Sequence, residues 1–214
     1  MADRESGGCC RCCFSFIITL GLTSLFMWLS LRADNPKCTI KYFYLPALNK
    51  TLNDSKSRNL TFELKLDNGN KDKGIYYDDI NLTFYDNPNM SLSHPMGNFT
   101  IRGFRQGQNK KAKRVETLEV MNTTLVTARD FANGSAFFRV DMATKLRFRI
   151  MFWKTKRHKL TLWTSVEVDS QGAIPKDHQK KGFRLKSGAP ENGGGGAQMG
   201  LLVGLMVLVL LNFR

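Results

Sequence analysis

Four cysteines, Cys9, Cys10, Cys12 and Cys13, stand together directly before an uncharged apolar run. Thiols that face the cytosol beside a membrane segment are typical substrates of S-acylation, and we predict that these four carry acyl chains. A zinc site is disfavoured because such crowded thiolates cannot easily surround one tetrahedral ion and no second Cys-x-x-Cys pair completes the set. Unmodified cytosolic thiols are the alternative.

Eight asparagines begin Asn-x-Ser/Thr sequons, and all eight lie between the two apolar ends of the chain. They are Asn49, Asn53, Asn59, Asn81, Asn89, Asn98, Asn122 and Asn133. Chance predicts about two such sites, and N-glycosylation takes place only in the secretory lumen. The clustering therefore predicts a glycoprotein whose middle part faces the outside of the cell. The alternative is that a sequence rich in Asn and Thr produces sequons by chance.

The chain carries 32 Lys and Arg against 18 Asp and Glu, a formal net charge of +14. Two basic clusters are predicted to bind a polyanion: Lys110, Lys111, Lys113 and Arg114, and Lys154, Lys156, Arg157 and Lys159. Because the middle of the chain is predicted to be extracellular, we expect an acidic cell-wall polysaccharide as partner and no nucleic acid. A third cluster, Lys176, Lys180, Lys181, Arg184 and Lys186, could also contact lipid headgroups. Solvated charge that keeps a tethered domain soluble is the alternative for all three.

The sequence shows no residues spaced for catalysis. The three histidines, His94, His158 and His178, do not stand at metal-ligand spacing with another His, Cys or acid. Asp78 and Asp79 are adjacent, so on a strand their carboxylates point to opposite faces and cannot form a catalytic dyad. We therefore expect a non-enzymatic protein without catalytic, cofactor-binding or metal-binding residues, and without a cofactor.

The first apolar run, Phe14–Leu31, contains 18 residues and no charge. At about 1.5 Å rise per residue it just spans a hydrocarbon core of roughly 30 Å, and we predict a transmembrane helix. The sequence Leu31-Arg32-Ala33 that follows lacks the small-x-small pattern of a cleavage site, which favours an uncleaved signal-anchor over a cleaved signal peptide. Residues 1–13 then form a cytosolic leader.

The second apolar run, Met199–Arg214, is short for a membrane span. Upstream lie the small triplet Ser187-Gly188-Ala189 and a polar spacer, which together match the pattern of a glycosylphosphatidylinositol signal. We predict a lipid anchor on Ser187, with Asn192 as the alternative site, and removal of residues 188–214. A retained C-terminal helix is the other possibility.

Residues 34–187 are predicted to form one domain of short strands. In the clearest strand, apolar residues at 60, 62, 64 and 66 alternate with polar ones, which indicates a half-buried strand. Similar patterns predict about eight strands in all: Thr39–Leu45, Leu60–Leu66, Ile80–Phe84, Phe99–Phe104, Val115–Val120, Ala136–Val140, Leu146–Phe152 and Leu160–Val168. Turn signals separate several of them: Asp67-Asn68-Gly69, Asp86-Asn87-Pro88, Asn133-Gly134 and Gln171-Gly172.

No convincing helix is predicted within this domain. The expected fold is therefore mainly β, a single antiparallel β-sandwich like those of immunoglobulin and fibronectin type III domains. The N-terminal transmembrane helix and the C-terminal hydrophobic tail flank it.

Several non-generic strings carry a family resemblance that covers essentially the whole chain. They are CCRCCFSFIITLGLTSLFMWLSLRADNPKCTI, FYLPALN, KDKGIYYDD, NKKAKR, NGSAFFRVD and FWKTKR. These strings closely resemble the plant non-race-specific disease resistance proteins of the harpin-induced-like family, which contain a late-embryogenesis-abundant type 2 domain. One departure is Asp67-Asn68-Gly69, where the wider family commonly has Asn-Pro.

The resemblance implies a plasma membrane glycoprotein, anchored by a C-terminal lipid, with its domain facing the apoplast. It also implies a requirement in the hypersensitive response and in resistance mediated by coiled-coil nucleotide-binding leucine-rich-repeat receptors. It further implies that the leader contacts a membrane-tethered cytosolic immune regulator, and that the protein links plasma membrane to cell wall. A mechanical wall adhesin with indirect immune effects and a desiccation-protective protein are the alternatives.

Overall fold

The computed structural model describes residues 14–25, 33–49, 58–121, 135–150 and 152–188. Residues 14–25 are helical, and the rest of the described chain forms twelve strands, a short helix at Lys176–Gln179 and two 3-10 turns at Pro46–Leu48 and Met90–Leu92. The strands are β1 Lys37–Tyr44, β2 Asn59–Asp67, β3 Lys73–Tyr77, β4 Ile80–Tyr85, β5 Pro95–Ile101, β6 Arg105–Gln106, β7 Lys111–Glu119, β8 Ser135–Ile150, β9 Trp153–Lys154, β10 His158–Asp169, β11 Phe183–Arg184 and β12 Lys186–Ser187.

Two antiparallel sheets pack against each other. The first has the strand order β11-β1-β2-β7. The second is built around β8, which pairs with β10 along one edge and with β4 and β3 along the other. Strands β12, β6, β5 and β9 extend this sheet by pairing with β10, β3, β4 and β8. The prediction of a mainly β, antiparallel fold is confirmed.

The core lies between the sheets because each strand turns its apolar side chains inward. In β2 all four alternating apolar residues are fully buried, as the sequence pattern predicted. Aromatic rings join the two sheets: Phe43 of the first stacks on Phe138 of the second with centroids 5.5 Å apart, and Phe62 lies 5.0 Å from Phe84. Each such buried side chain contributes about 1.5–3 kcal/mol to stability.

Four strand predictions were wrong in their boundaries. The segments Ala136–Val140 and Leu146–Phe152 belong to one strand, β8, which is 16 residues long. The intervening residues keep the same alternation, since positions 142 and 144 are buried, but Met and Thr are weak markers of it. The strand predicted at Phe99–Phe104 lies earlier, at β5, and the strand predicted at Val115–Val120 begins at Lys111.

The predicted span Phe14–Leu31 is described only as far as residue 25, and residues 26–31 lie outside the described part of the chain. Within the described residues, none of the helices is both long enough and apolar enough to cross a membrane. The leader and the second apolar run also lie outside the described residues.

One end of the sandwich, which we call the base, receives the chain from residue 33. Here Asp34 and Asn70 exchange two hydrogen bonds, of 2.9 and 2.8 Å, and the Asn70 carbonyl accepts from the Asn109 backbone. The buried amide of Asn68 donates a hydrogen bond to the carbonyl of Lys73. Lys73 stands opposite Ile150, the last residue of β8. The base therefore consists of residues 33–37, loops 68–72 and 107–110, and the turn after β8.

Candidate functional site

Strand β8 carries a row of cations on the outer face of the second sheet. Lys145, Arg147 and Arg149 alternate with Leu146, Phe148 and Ile150, which are buried. Because side chains in a strand alternate between faces, the three apolar residues fix the cations outward. Lys145 is exposed, whereas Arg147 and Arg149 are half-buried among their neighbours.

Tyr76 of β3 lies at the centre of these cations. It stands opposite Arg147 of β8 on one side and opposite Arg105 of β6 on the other. The guanidinium carbons of Arg105 and Arg147 lie 5.6 and 5.7 Å from the Tyr76 ring centroid, and the Lys154 ammonium lies 4.6 Å from it. These distances are within the range of cation–π attraction. Together with Arg149, which hydrogen-bonds the phenol, these residues form what we call the Tyr76 cluster.

The titration of Tyr76 reflects this positive surrounding. Desolvation acts to raise its pKa, but the hydrogen bond from Arg149 and the charges of Arg105, Lys154 and Arg149 outweigh it, and the pKa is lowered below the usual value. In addition, the Arg147 Nε is buried and has no hydrogen-bond partner among the residues that the structure describes. Four cations held this close favour a bound anion, which would relieve their mutual repulsion.

Two open cavities flank Arg105 and give an anion access to the cluster. The larger, about 730 Å³, is lined by Tyr76, Arg105 and Arg147 among others, and the smaller, about 260 Å³, by Arg105 and Arg149. The two acids on the wall of the larger cavity are already engaged. Asp78 pairs with Arg157 at 3.0 Å, and Asp79 accepts a 2.8 Å hydrogen bond from the Gly103 backbone.

The first predicted polyanion cluster does not form one site. Lys111 and Lys113 point outward from β7 and face acids of β2, with Lys111 4.0 Å from Asp67 and Lys113 3.5 Å from Glu63. Arg114 points to the other face, where its guanidinium lies 4.4 Å from the centroid of the Phe104 ring. Lys110 is exposed in the loop at the base.

The second predicted cluster is also divided. Lys154 joins the Tyr76 cluster, and Arg157 pairs with Asp78. Lys156 is exposed, and Lys159 lines a different cavity at the base.

Sequence reasoning missed Tyr76, Arg105, Arg147 and Arg149. The Lys-x-Arg-x-Arg pattern of β8 is the signal that could have found two of them.

The described sequons lie away from the base. Asn81 and Asn98 are exposed on neighbouring strands, and their sequons face each other, since Asn81 stands opposite Thr100 and accepts a 2.9 Å hydrogen bond from its hydroxyl. Asn59 and Asn89 are exposed, whereas Asn49 is only 9% exposed. Asn53, Asn122 and Asn133 lie outside the described residues.

Ser187, the predicted lipid-attachment residue, is exposed at the end of β12. Its alternative Asn192 and the four cysteines of the leader lie outside the described residues. No group of three His, Cys, Asp or Glu side chains in the described part of the chain is arranged to hold a metal ion.

Comparison with known proteins gives one clear relationship. The chain is 48% identical over 189 residues to Protein NDR1 of Arabidopsis thaliana, an alignment that covers 86% of this chain and 85% of that protein. No family model matches the sequence.

Proposed function

The chain belongs to the NDR1 family of plant non-race-specific disease resistance proteins, and from that premise we propose that it acts as a membrane-held, non-enzymatic glycoprotein that binds acidic wall polysaccharide. A role in plant disease resistance follows from the family. The proposal extends it to hypersensitive-response signalling through coiled-coil nucleotide-binding receptors and to a link between plasma membrane and cell wall. Its sandwich is proposed to be of the late-embryogenesis-abundant type 2 class.

The Tyr76 cluster is the observation that supports polysaccharide binding. Galacturonate polymers present carboxylates in a row, and planar guanidinium groups bind carboxylates with two parallel hydrogen bonds. Arg105, Arg147 and Arg149 supply three such groups around one ring, beside cavities open to solvent. Solvated surface charge alone would not need cations packed against an aromatic side chain.

We propose the following topology for the whole chain. Phe14–Leu31 crosses the plasma membrane, residues 1–13 remain in the cytosol with acyl chains on their cysteines, and residues 34–187 face the apoplast. Ser187 carries the lipid anchor and residues 188–214 are removed. Phospholipase specific for phosphatidylinositol tests this on intact protoplasts: retention of the protein with loss of the C-terminal peptide indicates that both ends hold it. Release into the medium would indicate a lipid anchor alone, and an intact C-terminal peptide would refute lipid attachment.

The leader is the proposed contact for a membrane-tethered cytosolic immune regulator. Thirteen residues bury far less than the roughly 1,200 Å² of a typical stable complex, so this contact needs help from the shared membrane. Deleting residues 1–11 is expected to abolish binding of the regulator and to leave delivery to the cell surface intact. Unchanged binding would refute the proposal.

Polysaccharide binding is tested by sedimentation of the full-length protein, reconstituted in vesicles, with polygalacturonate at low and high salt. The double variant Arg105→Gln/Arg147→Gln is expected to bind at least about tenfold more weakly, since losing about 1.4 kcal/mol changes affinity by that factor. Lys111→Gln/Lys113→Gln removes the same charge from the other sheet and serves as the matched control. Equal losses in the two variants would mean that only net charge matters, and would overturn the assignment of the site.

A further inference from the structure

Two large apolar side chains project from the turn that joins β8 to β9. Phe152 is 94% exposed and Trp153 is 58% exposed, although the sandwich behind them has a fully buried core. Adjacent exposed aromatic side chains at a hairpin tip mark an interaction surface, whereas exposed apolar residues scattered singly do not. Trp in particular is enriched where one side of a ring meets apolar groups and the other meets water.

This aromatic tip belongs to the base of the sandwich. The last residue of β8, Ile150, stands opposite Lys73, whose carbonyl is bound by the buried amide of Asn68. Asn68 and Asn70 then hold Asp34, where the chain comes in from the predicted span. The tip and the incoming chain are therefore connected by hydrogen bonds and strand pairing at one end of the molecule.

The length of chain between the predicted span and the base limits how far the base can lie from a membrane. Two residues, Arg32 and Ala33, separate Leu31 from Asp34. The chain therefore takes three steps of at most about 3.6 Å each, and the distance is at most about 11 Å. Strand β12 is antiparallel to β10 and ends at Ser187, which stands opposite Leu162 and lines one cavity together with Asn35. Both proposed attachment points therefore lie beside that cavity.

A cationic cavity opens at the same end. It has a volume of about 550 Å³, lies between the start of β1, the start of β10 and strand β12, and is lined by Asn35 and Ser187 among others. Of the described residues that line it, four are cations, Lys37, Lys159, Arg184 and Lys186, and none is acidic. A cavity with this charge is complementary to a phosphate-bearing headgroup.

Potential glycosylation sites and exposed apolar residues are distributed differently at the two ends. The described residues of the base contain no sequon, whereas Asn59 and Asn89 lie at the opposite end. Met90 and Leu92 are also exposed at that end, but they share one turn with the Asn89 sequon. The aromatic tip combines two adjacent exposed aromatic side chains with nearby cations, and the described residues of the base contain no sequon.

We propose that the base docks on a bilayer that contains anionic lipid. Phe152 and Trp153 insert among the headgroups, and the cationic cavity takes a lipid phosphate. This docking adds a third membrane contact to the two anchors and fixes the tilt of the sandwich. It rests on the proposed membrane attachment, but uses other residues than polysaccharide binding.

The test uses the processed full-length protein from plant membranes, reconstituted in vesicles whose lipids carry bromine near the headgroup end of the acyl chain. The fluorescence of Trp153 is obtained by subtracting the emission of the Trp153→Phe variant from that of the native protein. We expect brominated vesicles that contain anionic phospholipid to quench roughly half of this emission or more. Phe137→Trp, placed on the Trp153→Phe background, is the matched control. It moves the reporter toward the other end of β8, about 43 Å away at about 3.3 Å per residue, because Trp153 stands opposite Ile150, and should not be quenched.

The outcomes separate the possible failures. Quenching of Trp153 no stronger than that of the reporter at 137, in protein that still floats with the vesicles, would overturn the docking and leave the anchors in place. The triple variant Lys37→Gln/Arg184→Gln/Lys186→Gln should be quenched equally by anionic and neutral vesicles. If anionic vesicles still quench Trp153 more strongly, as in the native protein, the headgroup site is overturned. In the double variant Arg105→Gln/Arg147→Gln, Trp153 should still be quenched, whereas binding of polygalacturonate should be weakened. Quenching lost only in that variant would assign docking to the Tyr76 cluster and refute the proposal.

Discussion

Replacing Asn68 with alanine is expected to lower the free energy of unfolding by about 4 kcal/mol. The side chain is fully buried, and its Nδ2 donates to the carbonyls of Lys73 at 2.8 Å and Gly107 at 2.9 Å. Its Oδ1 accepts from the backbone N and the side-chain Nδ2 of Asn70, at 3.1 and 2.9 Å. One amide therefore holds the turn of residues 68–73 together and joins it to the 107–110 loop.

The magnitude follows from counting these bonds. Alanine removes all four, at about 1 kcal/mol net for each bond. The Lys73 and Gly107 carbonyls and the Asn70 backbone N lose their Asn68 partner, and the Asn70 side-chain Nδ2 keeps only its bond to the Asp34 carbonyl. A domain of roughly 150 residues loses about 2–4 °C in melting temperature per kcal/mol, so the expected decrease is about 8–16 °C.

Circular dichroism melts of the full-length protein in detergent measure this decrease. Asn35→Ala, at an exposed position of the same end, is the control and should change the unfolding free energy by no more than about 0.5 kcal/mol. Asn68→Asp keeps an acceptor for Asn70 but turns a carboxylate oxygen toward two carbonyls, so it should destabilise at least as strongly. A melting temperature of Asn68→Ala within about 2 °C of the native value, far below the decrease worked out from the bonds, would refute this account of the base.

Three further predictions concern single positions. Gly172→Ala should lower stability by about 2–3 kcal/mol, because Gly172 has a φ of 77° and a methyl group there would collide with the Leu45 carbonyl; an unchanged urea midpoint would contradict it. Burial raises the pKa of the Cys38 thiol to about 12. The same thiol therefore ionises at a lower pH in the unfolded chain than in the folded protein, and the free energy of unfolding falls by about 1.4 kcal/mol per pH unit from about pH 9 upward. Cys38→Ala should remove this slope in urea unfolding, and parallel pH profiles would refute the assignment. Asn81→Gln and Asn98→Gln should each increase electrophoretic mobility by one glycan, since both side chains are exposed; unchanged mobility would show that these sites are unoccupied.

The strands could largely be predicted from the sequence, but the base could not. Period-two alternation identified β2 because one face of that strand is wholly apolar. The Asp67-Asn68-Gly69 segment has the composition of an exposed turn, yet Asn68 is among the most buried residues. Its partner Gly107 lies 39 residues along the chain, and no local pattern reports such a contact.

Contacts between residues that are distant in sequence also explain why the Tyr76 cluster was not predicted. The alternating cations of β8 are visible in the sequence, but Tyr76 and Arg105 join them only through the pairing of β3 with β8 and β6. The run Lys110–Arg114 is continuous in sequence, but the structure divides its side chains between two faces. Neighbouring residues of a strand point to opposite faces, and acids of β2 face two of its lysines.

The position of the Tyr76 cluster matters for the proposed link between membrane and wall. Tyr76 stands opposite Arg147, three residues from the end of β8, so a polymer held there would lie about 10 Å above the base. A lateral pull on that polymer would load β3 and β8 along their length, where they share five paired positions. The load would then reach the base through Lys73 and Asn68, the same bonds that hold Asp34. A sandwich loosened by Asn68→Ala should therefore bind polygalacturonate normally below its melting temperature but detach at lower force, which single-molecule pulling from a supported bilayer measures. Equal detachment forces for the native protein and the variant would show that the load takes another route.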